Sequence, residues 1–212
     1  MRMRRKKHRE DRFNNCIDLA ITDISEYKSF KDIFGNGNPV HLEIGCGKGK
    51  FIRDLSSLNP DINYIAIEKC VDVIIMAMEK IKEAGIKNVK FIAGDADILR
   101  ELSFDGQAER IYVNFCDPWK KSNQAKRRLT HKNYLSLYEK LLKKEGELFF
   151  KTDNRKLFEF SLNSFADYNL KMRNITLDLH NSNYEGNIMT EYETNFSEQG
   201  MPIYRCECIF NI

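Results

Sequence analysis

From residue 40 onward the chain alternates short β-branched or aromatic runs with stretches of helical period, and this alternation constrains the fold more than any other feature. The runs are Val40–Gly45, Asn63–Ile67, Val89–Ala93, Ile111–Phe115 and Glu147–Lys151. Between them Val71, Ile74, Ile75, Met78 and Ile81 recur at helical spacing. So do Tyr134, Leu137, Tyr138, Leu141 and Leu142, and later Phe158, Leu162 and Phe165. Near-continuous apolar strands separated by helices predict a parallel sheet covered on both faces. Asp153 or Asn154 can cap the last of these helices. After Tyr168 the rhythm changes. Lys171–Leu179 and Ile203–Ile212 are two further strand candidates, joined by the polar stretch from His180 to Gly200 without a long helix. The expectation is an α/β fold: a doubly wound, mostly parallel sheet of seven strands, one antiparallel, with helices on both faces. Residues 13–212 are expected to form a single domain, preceded by a flexible arm, 1–12, with little apolar surface to offset the entropy of ordering.

The strongest local signal is His41-Leu-Glu-Ile-Gly-Cys-Gly-Lys-Gly-Lys-Phe51. Gly45, Gly47 and Gly49 fall at the first strand-to-helix turn, where glycine permits tight turning and close backbone approach to a ligand. Glu68 ends the second strand, at the spacing of a carboxylate that accepts from the vicinal hydroxyls of a ribose. The glycine spacing is not that of a nicotinamide site. Glu43, two residues before the loop, would repel a pyrophosphate and attract an ammonium or sulfonium. Asp95 and Asp117 follow the third and fourth strands. Ligands of open α/β sheets bind beyond the carboxyl ends of the strands. Four acids there suit a cationic nucleoside.

Net charge is +3, but it is a sum of unlike parts. Residues 1–12 carry +5 and residues 120–132 carry +6, leaving −8 for the remainder. Two basic patches on an acidic body are the footprint of a polyanion partner. The apolar runs are too short to span a membrane, and the basic start lacks the apolar stretch of a secretory signal, so a cytoplasmic protein without a membrane is expected. The six cysteines form no C-x-x-C pair. Cys206 and Cys208, in a strand, would share one face, which is no zinc spacing. Buried free thiols and no metal are expected.

These residues resemble a known family. The glycine-loop segment looks like motif I of class I S-adenosylmethionine-dependent methyltransferases. More closely, the chain resembles the bacterial tRNA (guanine-N7) methyltransferases, the TrmB family. The matching segments are Val113-Asn-Phe-Cys-Asp-Pro-Trp119, Lys126-Arg-Arg-Leu-Thr130, Phe150-Lys-Thr-Asp-Asn154, Thr190-Glu-Tyr-Glu193, and Gly200-x-Pro202-Ile-Tyr-Arg205. The resemblance implies a class I Rossmann-like fold, S-adenosyl-L-methionine as methyl donor, and tRNA as partner of a monomer or homodimer. The implied target is N7 of guanine 46 in the variable loop. It assigns Glu43, Gly45, Gly47, Gly49, Glu68, Asp95 and Asp117 to the cofactor, with Asp117 also near the chemistry. It assigns Lys121, Asp153, Thr190, Glu191, Tyr192 and Glu193 to the substrate, and Lys126, Arg127 and Arg128 to RNA. One departure stands out. The family continues its D-P-W motif with P-K-K-R-H, whereas this chain has Lys120-Lys-Ser-Asn-Gln124, so the proline is lost and only Lys121 of that cluster keeps its place.

Guanine N7 carries an in-plane lone pair and no proton, so methylation there needs positioning and electrostatics rather than a general base. Asp153 or Glu193 is expected to take the N1–H and N2–H edge, and Lys121 to meet O6 or a phosphate. Trp119 and Tyr192 could stack on a base. His131 is expected at the surface or as a cap. A methyltransferase of small molecules or proteins would leave the basic patches idle. A non-catalytic RNA-binding module would leave the strand-end acids unexplained.

Overall fold

The structure, a computed structural model, describes residues 8–211. In chain order it contains helix α1 (Arg9–Asn14), two 3-10 turns (Ile17–Leu19 and Ile24–Glu26), α2 (Phe30–Phe34), β1 (Val40–Ile44), α3 (Lys50–Leu58), β2 (Asn63–Glu68), α4 (Val71–Glu83) and β3 (Val89–Ala93). A 3-10 turn (Ala96–Arg100), β4 (Ala108–Asn114), a second such turn (Ser122–Arg127), α5 (Lys132–Leu141) and β5 (Leu142–Thr152) follow. The chain closes with α6 (Arg155–Asp167), β6 (Lys171–Thr176), α7 (Glu191–Ser197) and β7 (Tyr204–Ile209).

The strands form one seven-stranded sheet in the order β3-β2-β1-β4-β5-β7-β6. Strands β1 to β5 pair in parallel, and β7 runs antiparallel to both β5 and β6. The expected architecture is therefore present, with β7 as the one antiparallel strand. From β1 the chain winds outward through β2 and β3, then returns to place β4 on the other flank of β1. That reversal leaves a crevice outside the carboxyl ends of β1 and β4.

Strand alternation distributes the core to two faces. Leu42 and Ile44 pack with Tyr138, Phe158 and Phe165 from α5 and α6. On the other face Tyr64, Ala66 and Tyr112 pack with Phe51, Ile52, Ile74 and Met78 from α3 and α4. His41 and Glu43 point to this second face, which is how a carboxylate comes to lie under the glycine loop. The helical periods read from the sequence are the buried stripes: Ile74, Ile75, Met78 and Ile81 are all fully buried. Truncating such a side chain to alanine costs roughly 2–5 kcal/mol.

Strand β4 begins three residues earlier than expected, at Ala108, and three larger differences have physical causes. Strand β5 begins at Leu142 rather than Glu147. Its pairing to β4 jumps from Ala108–Leu142 to Arg110–Glu147, so residues 143–146 bulge out and break the period-2 signal. Strand β6 stops at Thr176, beyond a register shift that follows Arg173. The basic arm expected over 1–12 is helical from Arg9, and the Arg12 guanidinium donates to both oxygens of Glu79 on α4, at 2.7 and 2.6 Å. This two-pronged tie supplies what the apolar content of the segment does not. The rest of the arm, residues 1–7, lies outside the described residues. All six cysteines are free. Four are buried, and Cys70 and Cys116 are half-buried.

Candidate active site

The glycine loop is fixed by its own backbone. Gly45 and Cys46 N–H both donate to the Ile67 carbonyl, and Gly49 N–H donates to the Cys46 carbonyl. Gly45, Gly47 and Gly49 all have positive φ, of 83°, 56° and 81°. They do different work. A Cβ at Gly45 or Gly47 would meet nothing within 4 Å, so these two leave room above the loop. A Cβ at Gly49 would lie 2.6 Å from the Cβ of Ala77, so Gly49 lets α3 pack against α4.

Beyond the strand ends lies a cleft of about 430 Å³. Gly45, Glu68, Asp95 and Asp117 line it, and Trp119, Lys126 and Arg127 line it from the basic loop. Glu68 accepts from Gly47 N–H at 3.2 Å and Cys70 N–H at 2.9 Å, which fixes the carboxylate while lone pairs remain for a ligand. Asp95 caps the turn Ala96–Arg100 and is exposed to the cleft. Asp117 is ion-paired with Lys69 at 2.9 Å.

Glu43 is 1% exposed. Its Oε1 accepts a long bond, 3.4 Å, from Asn114 Nδ2, and its Oε2 has no partner among the described residues. Burial raises its pKa to about 8, against the smaller opposing pull of the Asn114 bond and Lys151. A buried carboxylate oxygen with nothing to accept from is costly unless a cation approaches it. The donor set under and around the glycine loop therefore fits a group carrying an ammonium, a ribose and a sulfonium.

Beside the cleft, joined to it where Tyr192 leans on Phe115, lie the end of β5, the start of α6 and the segment 187–193. Asp153 is half-buried and accepts from Tyr192 Oη at 3.3 Å. Asn154, not Asp153, caps α6 by accepting from Leu157 N–H, so the Asp153 carboxylate is not held by the helix start. The Tyr192 ring stacks on Phe196 at 4.2 Å and leans on Phe115 at 5.1 Å, yet stays 43% exposed. Lys121 is exposed just outside the cleft. His131 caps α5 through Nδ1, as expected.

Four of the residues expected to touch substrate or RNA are occupied otherwise. Glu193 is fully buried, accepting from Lys151 Nζ at 2.7 Å, Asn187 Nδ2 at 2.7 Å and, with His180 at 3.2 Å, completing a closed set. Its carboxylate is not presented to a base. Thr190 is the N-cap of α7, in a reciprocal capping box with Glu193. Glu191 reaches back to the glycine-loop side, where it accepts from Lys50 N–H at 3.2 Å and pairs with Lys80. Arg128 turns inward: Nε and Nη2 donate to the carbonyls of Pro118 and Trp119, both at 3.0 Å. Thr190 and Glu193, which the resemblance assigned to the substrate, are thus the two ends of a capping box at a helix start.

Lys151 is the residue that the sequence reading missed. Its ammonium donates to Asn187 Oδ1, the Ile188 carbonyl and Glu193, spending all three protons. Burial holds its pKa below the usual lysine value, with Glu193 pulling the other way. A charged residue closing the apolar run Leu148-Phe-Phe150 was the available signal.

A family model described as "Putative methyltransferase" matches residues 37–206. The tRNA (guanine-N(7)-)-methyltransferase of Bacillus subtilis (strain 168) is 50% identical over 98% of this chain and 98% of its own. That of Listeria monocytogenes serotype 4a (strain HCC23) is 47% identical over 100% of this chain and 99% of its own. Among solved structures, an antibiotic related methyltransferase superposes with a TM-score of 0.65 at 20% identity, covering 91% of this chain and 96% of that one. The 30S ribosomal A1408 methyltransferase from an uncultured bacterium superposes with a TM-score of 0.57 at 16% identity, covering 89% and 94%. These two likenesses place the sheet in the class I methyltransferase fold.

Proposed function

The chain belongs to the family of bacterial tRNA (guanine-N7) methyltransferases, and on that premise we propose how its cleft divides the work of the reaction. The protein is an enzyme that transfers a methyl group from S-adenosyl-L-methionine to N7 of a guanine in tRNA. Bound S-adenosylmethionine supplies an electrophilic methyl carbon on a sulfonium. Every other contribution comes from the chain. The observation that carries the assignment is the unpartnered, buried Oε2 of Glu43 beneath a glycine loop left open at Gly45 and Gly47.

Glu43 receives the methionine ammonium, Glu68 the ribose hydroxyls, and Asp95 lies at the far end of the cleft. Asp117, at the mouth, stands between cofactor and base, and exchanges its pairing with Lys69 for the positive charge that develops on the purine. Asp153 accepts from the N1–H and N2–H edge of guanine, with Tyr192 as the aromatic wall beside it. Glu193, already satisfied by Lys151, holds the α7 start in place. N7 has no proton to lose, so the barrier falls through in-line positioning and fixed charge. Lys121, Lys126 and Arg127 meet the tRNA backbone, and binding is accordingly salt-dependent. The target is guanine 46 of the variable loop, and the enzyme works in the cytoplasm as a monomer or homodimer. Among the described residues no helix is long and apolar enough to cross a membrane.

The test is incubation with labelled S-adenosylmethionine and unmodified tRNA. Label at guanine N7, lost when guanine 46 is replaced by adenine, is the expected result. Label in other substrates only, or none in tRNA, would overturn the reading.

A further inference from the structure

Two aromatic residues at the cleft mouth sit in left-handed backbone: Phe115 at φ 53° and Trp119 at φ 42°. Bulky side chains rarely adopt this region, and they stay there only when the surroundings hold them. Asp117 lies between the two. What holds Trp119 is Arg128. Its planar guanidinium places two donors on consecutive carbonyls, Pro118 and Trp119, and covers the Phe160 ring of α6 at 4.3 Å. The backbone beyond Arg128 is anchored in turn. The Leu129 carbonyl accepts from Tyr138 Oη at 2.9 Å, and the Thr130 carbonyl accepts from Ser164 Oγ at 2.7 Å. The Thr130 hydroxyl, fully buried, accepts from Ser161 Oγ at 2.8 Å. Its neighbours differ. Lys126 and Arg127 are exposed, and the Arg127 guanidinium lies over the Trp119 ring, 3.6 Å from its centroid.

We propose that Arg128 is a positioning residue that staples the loop 118–128 onto α6 and so fixes Asp117 at the cleft mouth, and that it is not a phosphate ligand. The basic run Lys126-Arg-Arg128 is thereby split, two cations for RNA and one for the loop itself. A lysine cannot replace the staple, because a single ammonium lacks the planar fork that spans two carbonyls. The phosphate half of the statement rests on the proposed tRNA function; the staple does not.

The chain has a single tryptophan, Trp119, so its fluorescence reports on this loop alone. We compare the unsubstituted protein with Arg128→Lys, Arg128→Ala and Lys126→Ala. Acrylamide quenching of Trp119 is expected to rise about twofold in both Arg128 variants and to stay unchanged in Lys126→Ala. The slope of log Kd for tRNA against log salt is expected to be unaltered in Arg128→Lys and Arg128→Ala, and to fall by roughly 0.7–0.9 in Lys126→Ala. At saturating tRNA and S-adenosylmethionine, single-turnover methyl transfer by Arg128→Lys is expected to slow at least ~10-fold, while affinity for S-adenosylhomocysteine is retained. Unchanged quenching in Arg128→Lys would overturn the staple. So would a slope lowered by one phosphate with the transfer rate intact. Absence of tRNA binding by the unsubstituted protein would count against the function, and the quenching comparison would still decide the staple.

Discussion

The two sides proposed for the active site, a cofactor wall at the glycine loop and a substrate wall at the end of β5 and the start of α7, are built by different means. The cofactor wall, at the ends of β1 and β2, is held by backbone donors: Gly45 and Cys46 to the Ile67 carbonyl, and Gly47 and Cys70 to the Glu68 carboxylate. The substrate wall is held by charged side chains: Lys151 to Glu193, Glu191 to the Lys50 N–H and to Lys80, and Arg128 to the carbonyls of Pro118 and Trp119. A wall made of backbone tolerates most side-chain changes away from its glycines. A wall made of buried charge does not, because removing one partner strands the other.

The largest expected effect follows directly. Lys151→Ala leaves Glu193 with an uncompensated buried charge and should cost about 3–5 kcal/mol in denaturant unfolding. Lys151→Ala combined with Glu193→Leu should recover much of that loss, although neither change touches the glycine loop. If the single variant unfolds like the parent, the substrate wall is not charge-built. Asp153→Asn comes next. It should lower methyl transfer by on the order of 100-fold, equivalent to about 2.7 kcal/mol, while S-adenosylhomocysteine binding survives. Equal loss of both would place Asp153 on the cofactor wall instead.

Glu43 is the buried carboxylate of the cofactor wall, and pH separates its two roles. Its folded pKa, raised to about 8 by burial, exceeds its ordinary value of 4.5. The ionised carboxylate is therefore a burden on the fold as pH rises from about 4.5 through about 8. Glu43→Gln should stabilise the protein increasingly over that window and leave stability unchanged below it. The same substitution should weaken S-adenosylhomocysteine binding by roughly tenfold or more near pH 8 and flatten its pH dependence. In the parent, affinity should climb with pH up to about 8, as Glu43 ionises and can meet an ammonium. Calorimetry at pH 6, 7 and 8 on both proteins reads the two slopes, and parallel slopes would exclude Glu43 as the titrating group.

The contrast between the walls also explains what a reader of the sequence can see. The alternating runs, the glycines and the acids at strand ends follow from periods and turn chemistry, which are local. Seven strands with one antiparallel were legible for that reason, and so were the turn at Gly45–Gly49 and the carboxylates at the strand ends. The role of Glu193 was not. T-x-x-E reads equally as a ligand pair or a capping box, and only the arrival of Lys151 from β5, with Asn187, decides between them. Arg128 is the same kind of case: three adjacent cations look alike in sequence, and their separation depends on Phe160 and on the carbonyls of a left-handed turn. The bulge at residues 143–146 hid the start of β5, since an inserted segment removes the period that marks a strand.

Lys121 offers the finest test of where the substrate wall ends and the RNA surface begins. It is exposed, it lies outside the cleft, and no side-chain partner among the described residues fixes it, whereas Lys69 in the mouth is tied to Asp117. A lysine in that setting acts on a phosphate through charge rather than on guanine O6 through geometry. Lys121→Ala should therefore lower the salt slope of tRNA binding by roughly 0.7–0.9 and weaken binding at low salt by a few-fold, with the single-turnover rate at saturation unchanged. Lys121→Arg should restore both slope and affinity, since a surface phosphate accepts either cation. A rate defect at saturating tRNA that arginine fails to repair would move Lys121 inside the wall, beside Asp153 and the guanine edge.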